Sequence, residues 1–290
     1  MKRKLGCMAM AAVLSLSLAA CGSGEKPAVT ESPAAGTETT AAGTETPAPA
    51  EAAPADGGTV ANKDKPLVWF NRQPSSSATG QLDMTALNYN KDTYYVGFDA
   101  NQGAELQGTM VKDYIEQNID AIDRNGDGII GYVLAIGDIG HNDSIARTRG
   151  VRKALGTGIE KDGNINSEPV GTNTDGTAAA VQDGTLEVNG KQYIVRELAS
   201  QEMKNSAGAT WDAATAGNAI GTWSSSFGDQ IDIVVSNNDG MGMSMFNAWS
   251  KDNEVPTFGY DANSDAVAAI AEGYGGTISI SDTSCSAQRS

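Results

Sequence analysis

An α/β architecture, with a parallel sheet covered by helices on both faces, is what the residues from Pro66 onward spell out. Short β-branched and aromatic runs alternate there with longer segments of helical periodicity. The chain between them is rich in Asp, Asn and Gly, the residues of tight turns and helix caps.

The elements follow in order. Leu67-Val68-Trp69-Phe70 and Tyr94-Tyr95-Val96-Gly97-Phe98 read as strands bounded by polar residues. Leu106, Met110, Val111, Tyr114 and Ile115 then share one helical face between Gln102 and Gln117. Tyr132 to Ile136 is a strand of the fully buried kind, and Ile145, Val151 and Leu155 predict a helix after Asp143. Thr185 to Val188 and Lys191 to Leu198 flank Asn189-Gly190, two residues that tolerate positive φ, which predicts a hairpin. We expect it as an insertion on the core rather than as part of its sheet. A strand over Ile231 to Ser236, a helix over Met241 to Trp249, a strand over Thr257 to Tyr260 and a helix over Ala266 to Glu272 complete the alternation.

The 290 residues carry 20 Lys+Arg against 36 Asp+Glu, a formal net charge of −16, which is the wrong sign for replacing phosphate counterions and excludes a nucleic-acid partner. One His and three scattered Cys offer no His-rich or Cys-rich metal centre and no disulfide framework.

Residues 1–20 read as a signal peptide: Lys2, Arg3 and Lys4 precede an apolar stretch from Leu5 to Ala20. Leu18-Ala19-Ala20-Cys21-Gly22 resembles a bacterial lipobox, which implies that Cys21 is lipidated and becomes the first residue of an exported chain. That would anchor it in the lipid membrane, on the outer face of the cell membrane. The rest of 21–65 repeats Ala-Ala-Gly-Thr-Glu-Thr and then turns Pro-rich, a composition without large apolar side chains. Such a segment cannot offset its ordering entropy by burial and reads as a solvated tether.

Asp123-Arg124-Asn125-Gly126-Asp127-Gly128-Ile129 places oxygen-bearing side chains at alternate positions, a Gly at the sharp turn, and a backbone carbonyl at Ile129. Hard cations such as calcium are wrapped in this way. Position 12 of such a loop, where an EF-hand has Glu, is Leu134, inside a strand, so any further carboxylate must come from elsewhere. An ordinary Asp/Asn/Gly turn is the other reading.

In a parallel α/β domain, ligands sit beyond the carboxyl ends of the strands. Asn71, His141, Asp143, Arg147, Asn238 and Asp261 all follow strands, and Trp211 follows the hairpin. Planar amide, carboxylate and guanidinium groups pair with adjacent sugar hydroxyls, and an indole packs on the C–H face of the ring. Each residue also has a structural alternative: Trp211 as core, Asn238 and Asp143 as helix caps, Arg147 as a surface charge. An enzyme would use His141, Asp143 and Asp261 as acid and base groups, but no Ser or Cys nucleophile pattern or phosphate-cradling Gly motif accompanies them.

Phe70-Asn71-Arg72-Gln73-Pro74, Tyr95-Val96-Gly97-Phe98-Asp99, the Asp123 loop, Gly140-His141-Asn142-Asp143 through Arg147-Thr148, Trp211-Asp212, Ser236 to Met243 and Phe258-Gly259-Tyr260-Asp261 occur in this order. Together they resemble the galactose/glucose-binding proteins of bacterial ABC sugar importers, over roughly residues 66–278. The resemblance implies a periplasmic-binding-protein-like (type I) fold: two Rossmann-like lobes closing on one monosaccharide, which is passed unchanged to a permease subunit. It assigns sugar contacts to Asn71, His141, Asp143, Arg147, Trp211, Asn238 and Asp261. It assigns a structural calcium to Asp123, Asn125, Asp127, the Ile129 carbonyl and Asp232, beside the sugar. Gly131 stands where the family has a coordinating Gln, and Asp232 where it has Glu, so calcium binding is expected to be weakened. On this reading residues 66–99 are the remnant of a first lobe, 100–279 a nearly complete second lobe, and 280–290 a tail that departs from the family.

Overall fold

The computed structural model of the chain describes residues 63–76 and 82–276. The signal peptide, Cys21, nearly all of the tether and the 280–290 tail lie outside the described residues. Every described residue belongs to one compact unit.

The first elements form a small ribbon. Strands β1 (Leu67–Phe70) and β2 (Thr93–Val96) pair in parallel, Leu67 opposite Thr93, with the one-turn helix α1 (Met84–Leu87) between them. Asp83 caps α1 by accepting the Thr85 N–H at 2.9 Å. Val68, Trp69 and Val96 are exposed apolar residues of this ribbon, and Phe70 keeps 76% of its surface in water.

The main sheet is built on β3 (Ile129–Ile136), which follows the long helix α2 (Ala100–Ile122). After β3 come α3 (Asn142–Leu155), a short hairpin of β4 (Glu160–Lys161) and β5 (Asn164–Ile165), and the edge strand β6 (Gly171–Thr172). Then follow β7 (Gly184–Val188), β8 (Lys191–Glu202), α4 (Ala213–Phe227), β9 (Ile233–Ser236), α5 (Asp239–Met245), β10 (Thr257–Phe258) and α6 (Ser264–Ala269). The strand order is β10-β9-β3-β8-β6, parallel from β10 to β8, with β6 and β7 antiparallel on β8.

Residues Ile130 to Ile136 of β3, Gly131 apart, are at most 1% exposed, which requires cover on both faces. Successive side chains feed opposite cores. Ile130, Tyr132, Leu134 and Ile136 pack with Val111, Ile115 and Ile119 of α2 and with Val151 and Leu155 of α3. Val133 and Ala135 pack with Ile220 and Trp223 of α4 and Met241 and Met245 of α5. Helices α2 and α3 meet at Ala104, Gly108 and Gly150; a Cβ at Gly150 would collide with the Ala104 carbonyl oxygen. Asp99 caps α2, and Gly156, at φ 71°, ends α3 in the left-handed conformation that glycine adopts without cost.

The structure departs from the sequence reading at several points. The Asn189-Gly190 hairpin exists, but it is not an insertion: β8 pairs with β3 from Ile194 to Glu202 and belongs to the central sheet. Helix α4 was not expected, because its Ala, Gly, Ser and Thr content weakens the pattern set by Ala216, Ile220, Trp223 and Phe227. The helix expected over Met241–Trp249 is regular only to Met245 and continues as a wider, π-type turn over Phe246–Ser250. The helix expected over Ala266–Glu272 starts at Ser264, and its last turn, Ile270–Glu272, tightens to 3-10 geometry.

Replacing Gly150 by Ala forces α2 and α3 apart. We expect it to lower stability by about 1–3 kcal/mol, read as a lower urea midpoint at unchanged slope.

Candidate functional site

At the carboxyl ends of β3, β9 and β10, five of the seven expected sugar-binding residues come together. Arg147, on the second turn of α3, is only 6% exposed. Its Nη1 donates to the Asn237 carbonyl at 2.7 Å and lies 3.4 Å from Asp261 Oδ1. The guanidinium carbon sits 3.6 Å from the centre of the Tyr260 ring and 5.8 Å from that of Trp211. His141 meets Trp211 edge to face, with centroids 5.4 Å apart. Its Nδ1 accepts the Asp143 N–H at 3.2 Å and caps α3, which leaves the ring proton on Nε2. The cap is therefore His141 and not Asp143, whose carboxylate stays half-buried in the first turn.

Burial lowers the pKa of His141, against the pull of Asp143. Asp261 is pushed up to about 6, first by burial and then by Asp239 and Asp143, with Arg147 opposing. The cluster thus combines a fixed cation, two carboxylates, a neutral imidazole and an indole edge. This set can donate to and accept from hydroxyls on one face of a ligand while offering an apolar surface beside it.

The other two expected residues have different surroundings. Asn238 is occupied as the cap of α5, its Oδ1 accepting the Met241 N–H at 2.9 Å. Asn71 is exposed at the end of β1, on a ribbon that reaches α3 through a 3.4 Å bond from Asn142 Nδ2 to the Gln73 carbonyl.

Three of the expected residues also have unusual backbone, as do Asp162, Asn189, Glu254 and Ala262 outside the set. Asn71, Trp211 and Asp261 hold φ of 65°, 59° and 105°. Non-glycine residues in such conformations carry about 1–3 kcal/mol of strain and concentrate at functional sites. Trp211 is fixed by its N–H, which donates to the Gly137 carbonyl at 3.1 Å, and a Cβ at Gly137 would overlap its indole.

Sequence reasoning missed the residues behind this surface. Asn237 is fully buried; its Oδ1 accepts from Gly137 N–H at 3.1 Å and Ser144 Oγ at 2.7 Å, joining β3, β9 and α3. Gln107 of α2, also fully buried, donates Nε2 to the Ser236 and Gly259 carbonyls at 2.8 and 3.0 Å. The signal for Asn237 was present in the amide run directly after a strand; for Gln107 there was none, since a polar residue in an amphipathic helix normally faces water.

The cation loop lies at the other end of β3, not beside the ligand cluster; eight strand residues separate the two by about 23 Å. Asp123 Oδ1 accepts the Gly128 N–H at 3.3 Å, Asn125 Oδ1 the Asp127 N–H at 3.0 Å, and Asp127 Oδ1 the Ile129 N–H at 2.7 Å. These bonds curl the loop. Asp232, fully buried, accepts the Gly131 N–H at 2.8 Å and the Arg124 N–H at 3.4 Å. Burial pushes it up to about 7, and the nearby Asp123 carboxylate adds to the rise. Among the described residues no three His, Cys, Asp or Glu side chains converge closely enough to hold a metal between them. The expected ligand set of Asp123, Asn125, Asp127, the Ile129 carbonyl and Asp232 is thus a mixed set of oxygens on and beside one turn, with Asp232 already accepting two backbone N–H groups. No side chain can join from position 131, where a Cβ would strike the Gln230 carbonyl.

No family model matches the chain. Among curated proteins it is 28% identical over 218 residues to the D-galactose/methyl-galactoside binding periplasmic protein of Haemophilus influenzae, covering 74% of this chain and 51% of that one. A xylitol-binding protein of Mycolicibacterium smegmatis is 25% identical over 296 residues, covering 93% of this chain and 73% of the other. The chain is thus similar to proteins named for binding a sugar or a sugar alcohol. Both are named as binding proteins and not as enzymes. The chain thus spans about half the length of its galactoside-binding relative. Among solved structures, a galactofuranose binding protein overlaps with a TM-score of 0.45 at 13% identity, covering 75% of this chain and 56% of that chain.

Because Asp232 binds its proton more tightly folded than unfolded, its contribution to stability is fully present below about pH 4 and is lost as pH rises through about 7. In chelator, an Asp232→Asn variant should therefore gain on the parent between pH 5 and pH 8, read as the difference in urea midpoints. A pH-independent difference would place the proton elsewhere.

Proposed function

We propose that the chain is the sugar-binding component of an ABC importer, exported and held through Cys21 on the outer face of the cell membrane. It takes up a monosaccharide, galactose or glucose, and delivers it unchanged to a permease subunit. The observation that carries this reading is the meeting of Arg147, Asp261, Asp143, His141 and Trp211 at the strand ends, where planar charged groups surround an indole. The galactoside-binding relative supports the ligand class.

On this reading Arg147 is the fixed donor. Asn237 and Tyr260 hold it before any ligand arrives, so little of its side-chain freedom is lost on binding. Asp143 and Asp261 accept from sugar hydroxyls, the Nε2 proton of His141 donates to one, and Trp211 packs on the C–H face. Asn71 and Asn238 complete the polar set, Asn238 through its amide nitrogen, since its oxygen is committed to the cap. Calcium, bound by Asp123, Asn125, Asp127, the Ile129 carbonyl and Asp232, would supply positive charge that braces the turn between α2 and β3. No bond of the sugar is made or broken.

On this reading the cluster is one wall of a two-lobed cleft, so affinity should be weak. Titration with D-galactose and D-glucose, followed by calorimetry and tryptophan fluorescence, should give dissociation constants near 1 mM, about −4 kcal/mol. Arg147→Met should weaken binding at least tenfold, the scale of one lost charge-assisted hydrogen bond. Micromolar binding would contradict a single-walled site, and release of product from aryl glycosides would replace the binder by an enzyme. In a separate calcium titration, Asp123→Ala should reduce affinity; unchanged affinity would remove this loop as the site.

A further inference from the structure

The tip of the β7–β8 hairpin sits over the cation loop. The Ile194 N–H donates to the Gly128 carbonyl at 3.0 Å and pins the start of β8 to the loop. From that anchored strand Lys191 extends across the Tyr193 ring, its Nζ 4.3 Å from the ring centroid, and comes within 3.8 Å of Asp123 Oδ2. The Asp123 side chain is only 8% exposed, while that of Lys191 is 60% exposed. A nearly buried carboxylate therefore has an ammonium on its outer oxygen and the Gly128 N–H on its inner one.

We propose that Lys191 is a built-in counter-cation for Asp123, holding the place that a divalent ion takes and giving way to it. This rests on the reading of the loop as a cation site. A carboxylate with so little access to water is costly without a positive partner, and Lys191 supplies one when no metal is bound. The same charge repels an arriving dication, so the residue that steadies the empty loop also weakens its metal affinity. The long exposed stem allows the ammonium to swing into solvent without moving the strand, and the Tyr193 face gives it a second resting place.

The test compares the full chain with Lys191→Met, which keeps the length and removes the charge, and Lys191→Arg, which keeps the charge. Calcium chloride titrations by calorimetry should show Lys191→Met binding roughly tenfold tighter than the parent, with Lys191→Arg close to the parent. In chelator Lys191→Met should melt below the parent, and in saturating calcium it should not. Equal calcium affinity and equal melting in parent and Lys191→Met would overturn the proposal. Should neither chain bind calcium at millimolar concentration, the metal reading of the loop falls and the double variant with Asp123→Asn decides the rest. Non-additive melting in chelator keeps Lys191 as the partner of Asp123, and additive melting overturns that as well.

Discussion

Everything in the described domain depends on β3 being paired on both edges and covered on both faces. A strand that is dry along its length holds a charge only with a buried partner, and β3 carries none, so its charged neighbours gather at its two ends. At the amino end they form the oxygen-lined turn after α2. At the carboxyl end they form the Arg147 cluster. The two candidate sites are thus products of one constraint, and their separation is the length of a strand.

The second layer is a set of buried polar side chains that hold the ends in shape. Asn237 ties the loop after β3 to α3, and Gln107 ties α2 to the ends of β9 and β10. On the far side of α3, Arg152 and Glu197 form a fully buried two-bond pair at 2.6 and 2.8 Å, and Tyr132 adds a third bond to the same carboxylate at 2.8 Å. Such a pair is weak as a source of stability but severe when broken, because one charge is left unmatched in the core. Its effect is to fix the rotation of α3, which carries His141 at its cap and Arg147 one turn further in.

How much of this could be read beforehand varies with the kind of residue. The β-branched runs announced β3 and β9, and the Asn-Gly pair announced the hairpin, because those signals act locally. That β8 joins the central sheet was hidden, since pairing partners far apart in sequence leave no local trace. Helix α4 was hidden by its small residues. The site residues with chemistry of their own were legible: His141, Asp143, Arg147, Trp211 and Asp261 are brought together. Asn238 shows the limit, for its side-chain oxygen is spent on a cap, a role the sequence allowed equally well. Asn237, Gln107 and Tyr260 act only through neighbours, and nothing in their immediate sequence says which neighbours those are.

The left-handed backbone at Asn71, Trp211 and Asp261 divides the expected ligand residues into two classes of position. Asp143 and Arg147 stand on ordinary helical backbone and can be exchanged for any side chain that fits the space, whereas His141 is the extended cap residue whose Nδ1 the helix uses. The three left-handed residues cannot become Val, Ile or Thr without adding steric cost to a conformation that is already strained. Changes to this surface therefore have an open register at Asp143 and Arg147, and a closed one at Asn71, Trp211 and Asp261.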